Sequence, residues 1–146
     1  ALDRAPAADE QLLTLLQSYP LRRNAPIILV AGAPSEQHEI APLMMAILLR
    51  SAGYRVEFLG PDIPLEDMAD YAADEKPALI IISATLEESA LELRGMQVKL
   101  KRLKPTPIFA YGGRAFSVKP DLVSQVPGVF LGKSMDEALE KVKALL

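Results

Sequence analysis

Pro26-Ile27-Ile28-Leu29-Val30-Ala31-Gly32-Ala33-Pro34-Ser35-Glu36-Gln37-His38 opens with a short aliphatic run, passes through small residues and ends in polar ones. The apolar run shows no alternation with period two, so both faces of the segment need covering, as in a buried strand of a parallel sheet. Downstream, Pro42 is tolerated in a helix only within its first turn, which sets a helix start near Ala41. Leu43, Ala46, Ile47 and Leu49 carry that helix on to Gly53.

The same strand-then-helix alternation repeats toward the carboxyl end. Arg55 to Leu59 reads as a strand closed by Gly60-Pro61, Leu65 to Ala73 as a helix, and Ala78-Leu79-Ile80-Ile81-Ile82 as the strongest strand. A long amphipathic helix is expected over roughly Glu88 to Leu103, a strand over Pro107 to Ala110 and a short helix over Asp121 to Val126. Val129 to Leu131 makes a fifth strand and Asp136 to Leu146 a closing helix. Five strands trading places with helices define an α/β class, a doubly wound five-stranded parallel sheet with right-handed crossovers, flavodoxin-like and Rossmann-like in outline. Upstream, Leu12, Leu13, Leu15 and Leu16 mark a short helix over Asp9 to Leu16 that stops at Ser18-Tyr19-Pro20. Residues 1–24 therefore read as a connector and 25–146 as the domain proper.

At 146 residues the chain suits a single domain with a core that needs no staples. It holds no cysteine, which excludes disulfides, thiolate metal sites and sulfur redox chemistry and fits a cytoplasmic setting. A net charge of -3 argues against this domain gripping nucleic acid by itself. No apolar run approaches the roughly 18 to 20 residues of a membrane span, so a soluble protein without membrane partners is expected. The chain starts Ala-Leu-Asp without a charged-then-apolar leader, and is expected to be part of something longer.

In open parallel sheets, ligands settle beyond the carboxyl ends of the strands, at the switch in strand order. The loops after strands one, three and four should converge there, and they carry the unusual residues: Ser35-Glu36-Gln37-His38, Ser83-Ala84-Thr85 and Tyr111-Gly112-Gly113. His38 is the single histidine, placed four residues ahead of Pro42 and so clear of the helical hydrogen-bond ladder. A lone loop histidine is commonly a surface residue without a role. Glu36, however, stands two residues earlier, where a carboxylate can accept the other ring N–H and fix the tautomer of a metal-bound imidazole. A solvated or helix-capping acid is the plainer reading of Glu36. Gly112-Gly113 lets a large ligand group approach the backbone, or is an ordinary turn. Ser83 and Thr85 can hydrogen-bond a buried ligand, or simply turn the chain.

Taken together, these loops resemble the cobalamin-binding fold, whose motif runs Asp-x-His-x-x-Gly, then Ser-x-Leu, then Gly-Gly. Here the segments are Glu36-Gln37-His38-Glu39-Ile40-Ala41, Ser83-Ala84-Thr85 and Gly112-Gly113, with 45 residues from His38 to Ser83 and 29 from Ser83 to Gly112. The resemblance implies that the dimethylbenzimidazole tail leaves cobalt and threads into a groove beside the sheet while His38 takes its place as axial ligand. It implies further that Glu36 partners the imidazole, that Ser83 and Thr85 lie near the tail, and that Gly112-Gly113 line its channel. Three positions depart from the motif: Glu36 for Asp, Ala41 for Gly and Thr85 for Leu. The Ala41 methyl is expected to narrow the groove where the tail enters.

From Ile27 to Leu146 the chain is similar to the carboxyl-terminal domain of light-sensing MerR-type regulators of the CarH and LitR kind. Phe58-Leu59-Gly60-Pro61-Asp62-Ile63-Pro64-Leu65-Glu66-Asp67, Tyr111-Gly112-Gly113-Arg114-Ala115-Phe116 and Leu131-Gly132 before Glu137-Ala138 carry that likeness. It implies a cytoplasmic sensor, not an enzyme by itself, that binds adenosylcobalamin, forms homo-oligomers in the full protein and reaches DNA only through an amino-terminal domain. A helical bundle would cap the corrin, and residues 1–24 would be at most its last helix. Two other readings share the fold: the corrinoid-carrying subunit of a mutase or methyltransferase, and a domain for heme or another tetrapyrrole.

Other features carry less. No Gly-x-Gly-x-x-Gly follows strand one, no acid ends strand three as in a receiver domain, and a catalytic triad lacks its parts. Lys99, Lys101, Arg102 and Lys104 read as a solvated basic helix end, and Met44, Met45, Met68 and Met96 as core fillers.

Overall fold

The structure is a computed structural model that describes residues 8–20 and 22–146. Positions 1–7 and 21 of the expected connector lie outside the described residues. The elements run α1 (Ala8–Ser18), β1 (Ile27–Gly32), α2 (Ile40–Ser51), β2 (Arg55–Gly60), α3 (Leu65–Glu75) and β3 (Leu79–Ser83). They continue with α4 (Glu87–Glu92), α5 (Met96–Leu100), β4 (Ile108–Gly112), α6 (Arg114–Val118), β5 (Val129–Phe130) and α7 (Met135–Leu145). All strand pairs are parallel, in the order β2-β1-β3-β4-β5, so the sheet is doubly wound and flavodoxin-like as expected.

Side chains on successive strand residues point to opposite faces, which is why the unbroken aliphatic runs seed two cores. Leu29, Ala31, Ile80, Ile82 and Phe109 pack with Met68 of α3 and with Leu93 and Met96 on one face. Ile28, Val30, Leu79 and Ile81 pack with Leu43, Ala46 and Leu49 of α2 and with Val142 of α7 on the other. The second core also takes in Leu16 of α1. Arg50 fastens this corner: Nε and Nη2 donate to the Val56 carbonyl at 3.0 and 2.8 Å, while Nη1 donates to the Leu16 carbonyl at 3.0 Å.

Two expectations about helices need correcting. The single helix over Glu88 to Leu103 is three pieces, α4, a 3-10 turn over Leu93–Gly95, and α5, which ends at Leu100. Gly95, the costliest ordinary residue to order in a helix, stands at the break. The expected short helix over Asp121 to Val126 is a 3-10 turn over Pro120–Gln125, preceded by the unanticipated α6. Lys99 in the basic run does more than face solvent, since its ammonium pairs with Glu66 of α3. No helix among the described residues is long and apolar enough to cross a membrane.

The Tyr71 hydroxyl of α3 donates to Glu57 Oε2 of β2 at 2.6 Å, and this bond to a carboxylate holds the phenol's pKa up at about 12. A folded-state value above the ordinary 10 gives stability that is complete below pH 10 and lost as pH rises through about 12. Tyr71→Phe should therefore remove part of the alkaline destabilisation between these limits, measured as urea midpoints against pH. A Cβ on Gly95 would meet nothing within 4 Å and needs no unusual φ. Gly95→Ala should accordingly raise stability by about 0.5–1 kcal/mol, seen as a higher urea midpoint at unchanged slope.

Candidate functional site

The loops after β1, β3 and β4 meet at the carboxyl edge of the sheet, as the strand order demands, and backbone bonds tie them. The Ala33 N–H donates to the Ser83 carbonyl at 3.0 Å and the Ala84 N–H to the Gly112 carbonyl at 2.9 Å. Gly113 has φ +118°, and a Cβ there would stand 2.3 Å from the Ala84 oxygen, so only glycine permits this approach. Gly112 differs: a Cβ would find only the Leu131 Cβ at 4.0 Å, because the space beside it is open.

Glu36 is the buried charge of the site, only 1% exposed. Its Oε1 accepts the His38 backbone N–H at 3.2 Å and lies 2.5 Å from His38 Nδ1. Its Oε2 accepts the backbone N–H of Thr85 at 2.6 Å and that of Leu86 at 3.4 Å. Burial pushes the carboxyl's pKa up, but these four hydrogen bonds outweigh it and leave the group below the ordinary carboxylate value. An ionised carboxylate only accepts, so the proton of the bond sits on Nδ1, and in the neutral imidazole Nε2 then carries the lone pair. The ring itself is 60% exposed. The plainer reading of Glu36 as a solvated or capping acid is set aside, since it is buried and makes no cap bond to α2.

A second anchor is Asp62, which the sequence offers only as part of the Phe58 to Asp67 likeness and without a role of its own. Its Oδ1 accepts the Ser35 N–H at 2.7 Å and its Oδ2 the Gln37 side-chain amide at 3.2 Å, so the β2–α3 loop grips the histidine loop from below. Ser35 and Asp62 both hold positive φ, 67° and 54°, a conformation tolerated by short polar side chains that find local partners. The one available signal was Asp62 following Gly60-Pro61, a turn sequence.

Two cavities open on this edge. One, of about 510 Å³, surrounds His38 and is lined among others by Ile40, Ala41, Met44, Thr85 and Met135. The other, of about 320 Å³, runs into the α2–α7 side of the sheet past Ala41, Met45, Ser83, Gly112, Gly113 and Leu131. Ala41, Arg114 and Met135 line both, so they mark the passage between dish and groove. Of the expected site residues, the structure brings His38, Ala41 and Thr85 to the dish and Ser83, Ala41, Gly112 and Gly113 to the groove, while Glu36 is buried and reaches the dish only through its bond to His38. The Ser83 hydroxyl has no hydrogen-bond partner among the described residues. Thr85 lines the dish, not the groove. Met44 is not the core filler its pattern suggested: it is half-exposed beside His38, whereas its neighbour Met45 is buried. Tyr111 is buried on the far face, its hydroxyl donating to the Val126 carbonyl at 2.8 Å.

This edge can offer one nitrogen to a metal and little else, for no cluster of three or more metal-ligating side chains exists among the described residues. A single imidazole suits a metal that arrives already held by a macrocycle. An apolar dish beside a deep groove suits a planar ligand with an appendage.

Comparisons with known proteins give the family. Over 109 residues the chain is 31% identical to the HTH-type transcriptional repressor CarH of Myxococcus xanthus, covering 73% of this chain and 36% of that protein. Over 121 residues it is 26% identical to trimethylamine corrinoid protein 1 of Methanosarcina mazei, covering 82% and 55%. The methanol:cobalamin methyltransferase complex MtaBC of Methanosarcina barkeri aligns with a TM-score of 0.73 at 26% identity, covering 88% of this chain and 49% of that one. A cobalamin-binding protein of Desulfitobacterium hafniense shares the fold, with a TM-score of 0.72 at 18% identity over 84% of this chain and 60% of that one. The chain thus spans 36% of the repressor and 55% of the corrinoid protein. A family model described as B12 binding domain matches residues 26–142, and the chain belongs to that family.

Proposed function

We propose that this cobalamin-binding domain, residues 25–146, takes adenosylcobalamin with its nucleotide tail off the metal and His38 as the lower axial ligand, serving as the sensor of a bacterial transcription regulator. The observation that carries the reading is the His38–Glu36 pair: an exposed imidazole lining the dish, whose Nδ1 is committed to a buried carboxylate and whose Nε2 is left for a ligand. Glu36 fixes the ring's tautomer and angle and strengthens the ligating nitrogen. Ile40, Met44 and Met135 give the dish apolar walls. The Ser83 hydroxyl and the bare backbone at Gly112 receive the tail in the groove. The Ala41 methyl stands at the passage without closing it.

When bound, adenosylcobalamin supplies a cobalt–carbon bond that light breaks. The domain's part is binding and switching: a response needs the two ligand states to favour different arrangements of the protein by different affinities. On this reading residues 1–24 connect to other domains, DNA is reached through one of them, the full protein forms homo-oligomers, and no catalysis is assigned to the domain itself. The likeness to CarH favours this setting. A second reading, the corrinoid-carrying subunit of a methyltransferase, draws on the likeness to the trimethylamine corrinoid protein and to MtaBC.

The decisive measurement is the absorption spectrum of the protein with adenosylcobalamin, taken in the dark and after illumination, beside His38→Ala. The wild type should give a tail-off, histidine-ligated spectrum that changes with light, and His38→Ala should lose it. A bound spectrum independent of His38 would sink the axial-ligand assignment, and a Soret band with hemin but no cobalamin uptake would move the assignment to heme. Light-insensitive uptake of methylcobalamin with methyl transfer to a partner enzyme would favour the second reading. Gly112→Val fills the groove without touching His38 and should lower cobalamin affinity at least tenfold at near-unchanged thermal stability, measured by titration and melting.

A further inference from the structure

The chain is acidic overall, yet its groove is not. Among the residues lining the buried groove there is no carboxylate, while two cations, Arg114 and Lys133, stand at it. Arg114 also lines the dish around His38, where Glu39 is the one acid. Four lysines elsewhere are ion-paired, Lys99 with Glu66, Lys119 with Glu87, Lys141 with Glu137 and Lys143 with Glu140, and none of the four lines either cavity. The Arg114 guanidinium has no hydrogen-bond or ion-pair partner among the described residues, nor has the Lys133 ammonium. An unpaired guanidinium at the passage between two cavities is a donor fork awaiting an oxyanion.

Resting on the proposed tail-off binding, we infer that Arg114, assisted by Lys133, recognises the phosphodiester that joins the corrin to its nucleotide. A ligand whose planar part fills the dish and whose base enters the groove must pass its linker between them, and that linker carries the tail's single negative charge. Arg114 is then a specificity-determining residue: it separates complete cobalamins from corrinoids that lack the nucleotide, and from tetrapyrroles with no such linker. His38 holds the metal in either case. The groove residues supply shape, and the guanidinium supplies the chemical test of whether a tail is present.

The experiment titrates the protein, in the dark, with cobalamin and with cobinamide, the same corrin without nucleotide or phosphate, following the histidine-ligated absorption. Wild type, Arg114→Gln, Lys133→Gln and the double variant are compared, with Arg114→Lys as the charge-keeping control. Loss of a charge-assisted contact should weaken cobalamin binding by roughly tenfold to a hundredfold in Arg114→Gln. The preference for cobalamin over cobinamide should collapse with it, Arg114→Lys should recover part of it, and raised salt should erode it in the wild type. Both residues are exposed, so the variants should melt with the wild type. A preference unchanged in the double variant overturns the inference and leaves cobalamin binding through His38 standing. A wild type that takes up neither corrinoid overturns both.

Discussion

A carboxylate removed from water must be answered by hydrogen bonds or it will not stay charged. Glu36 is answered from two directions, by its own loop at His38 and by the backbone of Thr85 and Leu86 across the sheet edge. That one group fastens the β1–α2 loop to the β3–α4 loop and orients the imidazole. The Asp62 carboxylate completes the clamp from the third side by taking the Ser35 and Gln37 donors. The histidine is thus the exposed tip of a buried polar network, which is how a loop residue acquires a fixed geometry.

The sheet explains why the network lies where it does. β1 and β3 are central and buried on both faces, so their helices lie on opposite sides and part at their carboxyl ends. The gap left by that divergence becomes dish and groove. The longer glutamate in place of the motif's aspartate is accommodated because its carboxyl reaches the neighbouring loop as well as its own histidine.

Much of this was legible in the sequence, and the failures are instructive. Ile27 to Val30 and Leu79 to Ile82 declared their strands because burial on both faces permits little but aliphatic residues. Strand alternation with helices then located the edge where His38, Ser83 and Gly112 gather. The break at Gly95 was not legible, since a lone glycine in an amphipathic pattern is tolerated as often as it interrupts, and only packing decides. Met44 and Met45 are neighbours of the same type, but about 100° of rotation puts one beside His38 and the other in the core. The anchoring role of Asp62 was not legible because it is a contact across 27 residues, which no local pattern encodes.

The groove's floor is built from backbone. The ends of β1, β3 and β4 are joined through Ala33 to Ser83 and Ala84 to Gly112, and Leu131 after β5 donates to the Tyr111 carbonyl at 2.9 Å. At Gly113 the chains approach so closely that a single methyl has no room. A floor held by main-chain bonds has less room to relax than the side chains that wall the slot. A ligand entering it gives up its own freedom and asks ordering of the exposed side chains at the rim, while the main chain of the floor asks for little.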